Sequence, residues 1–174
     1  MKENLNKLKT SIIICLVLLI AGCNNPSEKH LELENAQVSL EKNLEMYTMV
    51  WNEVFKNRNL DIINEEYFDK DVVAVATSAG DVVGIENFKA YYGNYITGFS
   101  DGELIFVDLF GQGDKMVKHW RFKGTHDGDF FGVPATNKKV DVSGTTLIKM
   151  KDGKIVAEQD FMDFLSFYTQ LGLM

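Results

Sequence analysis

The chain has 174 residues, 45% of them hydrophobic, with 12 Phe, 6 Tyr, 2 Trp and only two Pro, a composition that suits one ordered, aromatic-rich domain and argues against long disordered stretches. Its net charge is −7, and removing residues 1–22, which carry a net +2 from Lys2, Lys7, Lys9 and Glu3, leaves −9. Such an acidic chain lacks the basic surface needed to neutralise phosphates, which excludes nucleic acid as an expected partner.

Residues 1–22 read as a targeting segment: a Lys-bearing start, an apolar run from Ile12 to Ala21, and small residues just before Cys23. The run is too short for a permanent membrane span. Ile20-Ala21-Gly22-Cys23 resembles the bacterial lipoprotein box, which implies cleavage before Cys23, lipid on its thiol, and a protein tethered to the extracytoplasmic side of the cell membrane. Cys15 is then discarded and Cys23 consumed, so no thiol remains for a disulfide, a metal or nucleophilic catalysis. Residues 24–37 are polar and read as a tether, with the folded domain expected over 38–174.

From Val38 to Asn57, Leu40, Leu44, Tyr47, Trp51, Val54 and Phe55 recur at helical spacing and predict a long amphipathic helix with an aromatic core stripe. A short helix is expected over Leu60–Tyr67 with Asn59 as its cap, then a β-prone run over Asp71–Thr77. Another helix, from Ile85 to about Phe99, would bury Phe88, Tyr92, Tyr95, Ile96 and Phe99. The remainder alternates as strands, Glu103–Phe110, Lys115–Lys123, Lys139–Lys149 and Lys154–Met162, broken by Gly-containing turns. Helices first and antiparallel strands after define an α+β layout: a cone in which a curved, mainly antiparallel sheet folds over the helices, encloses a pocket and ends in a short helix.

Along the last strand, alternation puts Ile155, Ala157, Gln159, Phe161 and Asp163 on one face and Lys154, Val156, Glu158, Asp160 and Met162 on the other. Asp163 thus shares a largely apolar face, where desolvation would equip it for proton transfer near neutral pH. Equally, Asp163 stands before Phe164, Leu165, Phe167, Tyr168 and Leu171, where it would cap the terminal helix. No His-x-x-x-His or Glu-x-x-His set, no Gly-x-Ser-x-Gly elbow and no phosphate-cradling Gly loop occurs, so neither a metal nor a serine hydrolase is expected.

The run Gly124-Thr125-His126-Asp127-Gly128-Asp129-Phe130-Phe131-Gly132-Val133-Pro134, the strand Val140–Ile148, Asp152-Gly153-Lys154-Ile155-Val156, and Asp163 through Gln170-Leu171-Gly172 resemble the SnoaL-like polyketide cyclases, a branch of the nuclear transport factor two-like fold. Val50–Asp61 and Phe99-Ser100-Asp101 fit the same family, and the resemblance covers about residues 40–174. It implies ring closure on polyketide esters without metal or cofactor, an aspartate near the last strand as acid/base, and dimerisation. The acid/base role falls on Asp163, with Asp160 second and His119 as a possible carbonyl-polarising group. Trp51, Phe55, Tyr92, Trp120, Gln159 and Phe161 are the expected lining of a pocket for a small hydrophobic carbonyl or ester compound. Departures from the family pattern are His119 in place of Arg, Gln159 in place of Trp, Asn137 in place of Gly, and no His within Asp71–Ala76. His119 also shares its strand face with Arg121 and Lys123, as a surface residue would. His126 is expected to bond its own loop. A non-catalytic domain that binds a small apolar molecule or a partner is the competing expectation.

Overall fold

The computed structural model describes residues 28–77 and 80–174. The targeting segment and Cys23 lie outside the described residues. Val38–Met174 forms one compact unit.

Helix α1 spans Glu28–Lys56. It begins within the expected tether because residues 28–37 are rich in good helix formers, and His30 and Glu34 meet at 3.2 Å one turn apart. Every residue from 28 to 39 is exposed, and burial starts at Leu40. From there Tyr47, Val50, Trp51, Val54 and Phe55 supply the inward stripe, each buried side chain contributing roughly 1.5–3 kcal/mol. The expected helix over Leu60–Tyr67 contracts to a 3₁₀ turn, Leu60–Ile62, capped by the Asn59 side chain. Only Ile63 of this stretch is fully buried, too little to hold a helix by packing.

Strand β1 (Phe68–Thr77) and a short partner β2 (Gly80–Val83) precede helix α2 (Ile85–Gly98). Strands β3 (Glu103–Gln112), β4 (Lys115–Thr125), β5 (Lys139–Lys151) and β6 (Lys154–Met162) follow, and helix α3 (Phe164–Leu171) ends the fold. Together they form one six-stranded sheet in the order β2-β1-β6-β5-β4-β3. All pairings are antiparallel except β1 with β6, which is parallel. The sheet is open, with β2 and β3 as its edges, and the cone-like α+β architecture expected from the sequence is the one observed.

Burial alternates cleanly along β4 and β5. Met116, Lys118, Trp120 and Phe122 of β4 face inward, as do Val140, Val142, Gly144, Thr146, Ile148 and Met150 of β5. Rings from α1 and α2 meet this face: Phe55 packs on Phe122 at 6.0 Å between centroids and Tyr95 on the same ring at 5.8 Å.

Strand β6 breaks the alternation. Met150 pairs with Ile155 and Lys149 with Ala157, so Val156 is an extra residue, a β-bulge. Past a bulge the face parity inverts. Inward-facing Ile155 is therefore followed on the same face by Glu158, Asp160 and Met162, while Ala157, Gln159 and Phe161 turn to the other.

Candidate active site

The register of three strands sets the site as transverse rows on the inner face. Lys118 pairs with Thr146 and Thr146 with Asp160, giving a polar row. On one side lies Met116–Ile148–Glu158, on the other Trp120–Gly144–Met162. Gly144 is required where it stands. A Cβ there would lie 2.7 Å from the Phe161 carbonyl oxygen and collide with the Trp120 ring, which occupies the space a side chain would fill.

These rows form the floor of an aromatic pocket with about 50 Å³ of room for the centres of water-sized molecules. Helix α1 supplies Trp51 and Phe55 to its walls, one turn apart, and α2 supplies Tyr91, Tyr92 and Tyr95. Trp51 and Tyr92 meet edge to face at 4.6 Å, a geometry that aromatic quadrupoles favour.

Two carboxylates enter this apolar space. Asp160 accepts from the Tyr92 hydroxyl at 2.9 Å on one oxygen and from the Thr146 hydroxyl at 2.5 Å on the other. The Thr146 oxygen itself accepts from the Trp120 indole N–H at 2.9 Å. Trp120 thus orients Thr146, and Thr146 aims its proton at Asp160. Glu158, only 1% exposed, accepts from the Trp51 indole N–H at 3.0 Å, with the Tyr92 hydroxyl 3.3 Å from its second oxygen. Burial raises the Glu158 carboxyl to about 7, with Lys118 opposing the rise and Asp160 adding to it. Glu158 therefore exchanges its proton near neutral pH.

Tyr92 bridges the two acids with a single proton, which it holds far above neutral pH because it is buried and faces Asp160 and Glu158. When Glu158 is protonated it can donate to the Tyr92 oxygen while Tyr92 donates to Asp160. A relay thus runs from the buried acid to the one beside the pocket.

Lys118 completes the floor. It is 3% exposed, and its ammonium lies 4.9 Å from the Trp51 ring centroid, 5.2 Å from Tyr47 and 5.4 Å from Phe106. Desolvation lowers its pKa below that of an ordinary lysine, against the pull of Glu158 and Asp160.

Five of the residues expected from the sequence come together here: Trp51, Phe55, Tyr92, Trp120 and Asp160. Four do not. Asp163 is exposed and caps α3, accepting from the Ser166 backbone N–H at 2.9 Å; the capping alternative is the one the structure shows. Gln159 and Phe161 are carried to the opposite face by the Val156 bulge, and Phe161 is 49% exposed. His119 is exposed on the outer face of β4, its Nε2 3.1 Å from the Ser143 hydroxyl. His126 serves its loop as expected: it is fully buried, and its Nδ1 accepts from the Thr136 backbone N–H at 3.3 Å.

Sequence reasoning missed Lys118, Glu158 and Thr146. The signal for Lys118 was present, since it alternates in phase with Met116, Trp120 and Phe122. No cluster of His, Cys, Asp and Glu that could hold a metal occurs among the described residues.

With this fold and pocket, comparison with known proteins is specific. The SnoaL-like polyketide cyclase family model matches residues 44–171, and the chain belongs to that family. It is 41% identical over 49 residues to an aklanonic acid methyl ester cyclase of Streptomyces peucetius, a match covering 28% of this chain and 34% of that protein; the chain thus spans about a third of that relative's length. Among solved structures, a protein from Jannaschia sp. CCS1 assigned as a SnoaL-like polyketide cyclase superposes with a TM-score of 0.70 at 26% identity, over 77% of this chain and 94% of that one. TsrD from Streptomyces laurentii superposes at 0.65 with 22% identity, over 79% and 97% of the two chains, a likeness of fold.

Proposed function

We propose that this protein is a cofactor-independent cyclase or isomerase for a small hydrophobic carbonyl or ester compound, with Asp160 as the acid/base. The observation that carries the reading is Asp160 itself, a carboxylate set by two hydroxyl donors at the edge of an aromatic pocket. Asp160 removes a proton from carbon flanked by carbonyl groups, and the electron pair delocalises onto the carbonyl oxygen as an enolate. The enolate carbon then attacks a second carbonyl of the same molecule, and Asp160 returns the proton to the new alkoxide. The aromatic walls hold the substrate folded so that both carbons approach, which supplies the orientation term, while proton transfer supplies roughly 10²–10⁴-fold. Similarity to a methyl ester cyclase supports an ester of a polyketone as the substrate class.

The test is deuterium uptake by methyl esters of aryl β-keto acids in D2O, followed by NMR with full-length protein. Uptake faster than in buffer, reduced at least about 100-fold by Asp160→Asn while the ester still binds, is the expected result. Binding without accelerated uptake assigns the pocket to ligand capture and overturns the enzymatic reading.

Two further proposals concern the whole chain. Lipid on Cys23 anchors the domain outside the cell membrane, and metabolic labelling with an alkyne fatty acid, lost in Cys23→Ala, tests it. A second copy of the chain covers the outer face of the sheet, where Val107, Leu147 and Phe161 are about half exposed.

A further inference from the structure

We propose that Lys118 is an amine nucleophile that forms a covalent iminium with ketone or aldehyde ligands of the pocket, giving this protein a capacity for enamine chemistry beside its proton-transfer chemistry.

The geometry points to this. Lys118 lines the pocket, yet among the described residues its nitrogen has no hydrogen-bond or ion-pair partner and is surrounded by the rings of Tyr47, Trp51 and Phe106. A lysine serving structure is expected to hold a carboxylate. This one stops short of both Glu158 and Asp160. Burial favours the neutral amine, the form that attacks carbon.

The polar row supplies the rest. Lys118 and Asp160 flank Thr146 on adjacent strands, which places their backbones about 10 Å apart, and both line the pocket. The lone pair of the Lys118 nitrogen adds to the carbonyl carbon of a bound ligand as the carbonyl π bond opens, and the oxygen takes a proton that reaches Asp160 from Glu158 through Tyr92. The nitrogen then passes a proton to Asp160, which gives it to the hydroxyl leaving as water, and the nitrogen lone pair closes the C=N bond. The net change is amine plus carbonyl plus one proton giving iminium plus water. An iminium acidifies the adjacent C–H, which Asp160 can deprotonate to an enamine. Ketones, aldehydes and β-keto acids with an aryl or alkyl group for the aromatic wall are the ligand class.

The inference builds on the acid/base reading of Asp160, but the two fail separately. The probe is 2,4-pentanedione, whose condensation with an amine gives a stable, ultraviolet-absorbing vinylogous amide. Full-length protein at pH 7 is treated with it and analysed by intact mass and peptide mapping. One adduct of probe mass less one water, formed at Lys118 ahead of every other lysine, is expected, since burial raises its free-amine fraction. Lys118→Arg, which keeps the charge without the nucleophile, must abolish that adduct. Asp160→Asn slows its formation, and deuterium uptake is read separately on the wild-type chain, so an unreactive Lys118 there leaves the acid/base result for Asp160 standing. Adducts only at surface lysines, or equal reactivity at Lys118 and surface lysines, overturn the proposal. Should Lys118→Arg not fold, peptide mapping of the wild-type chain decides alone.

Discussion

Glu158 and Lys118 occupy adjacent rows on a floor nearly closed to water, and their protonation states are coupled. Between about pH 4.5, the ordinary glutamate value, and about 7, the folded chain holds a proton on Glu158 that the unfolded chain has released. The stability linked to that proton is complete below the ordinary value and is lost as pH rises through about 7. Trp51 and Tyr92 face Glu158 as hydrogen-bond donors, and Lys118 and Asp160 face it as charges. Glu158→Gln keeps the acceptor for Trp51 and removes the charge. Its stability over wild type should grow across this window and level off above it, by roughly 3 kcal/mol, as read by denaturant melts at a series of pH values. Lys118→Met removes the cation that holds Glu158 down, so the Glu158 carboxyl should titrate higher still in a carbon-detected NMR titration. No rise would mean that Lys118 acts through packing alone.

At the scale of elements, the site is made by β-register, and register was only partly legible in the sequence. The alternation of β4 and β5 and the aromatic stripes of α1 and α2 could be read directly, because a buried face imposes its period on residue type. Strand β2 could not be read, since its four residues are mostly exposed and carry no alternation. The Val156 bulge was equally silent. Nothing in Ile155-Val156-Ala157 departs from strand-like composition, yet the extra residue puts Ile155 on the same face as Glu158, Asp160 and Met162 and sends Gln159 and Phe161 to the other. Asp163 was legible as a cap and misleading as an acid, since one side chain satisfied two local patterns. Asp163→Ala should cost about 1 kcal/mol through loss of the α3 cap and leave deuterium uptake unchanged in the NMR assay. Gly144→Ala should cost at least about 2 kcal/mol by thermal melt and reduce binding of the aryl ester, because the displaced Trp120 ring moves into pocket space.

For the molecule as a whole, the open sheet has two faces of different character. The inner one carries the aromatic core and three ionisable groups, Lys118, Glu158 and Asp160. The outer one combines charged residues with His119, Val107, Leu147 and Phe161, of which His119 and Phe161 both pair with Thr145. If a second copy covers this face, Phe161→Glu should convert a dimer to a monomer in light scattering while leaving deuterium uptake intact. A monomeric wild type would remove the expectation. Among the described residues no helix is long and apolar enough to cross a membrane.

The Val156 bulge has an evolutionary corollary. With that residue absent, Ile155 and Glu158 would stand two apart and still face the same way, paired with the same residues of β5. The address of Asp160 is therefore counted backwards from the start of α3, three residues before the Asp163 cap, and not forwards from the hairpin at Asp152-Gly153. A lineage could gain or lose one codon at this point without exchanging the inward acid for its outward neighbours. An alignment that forbids a gap there would pair Asp160 with the wrong residue in any relative lacking the bulge.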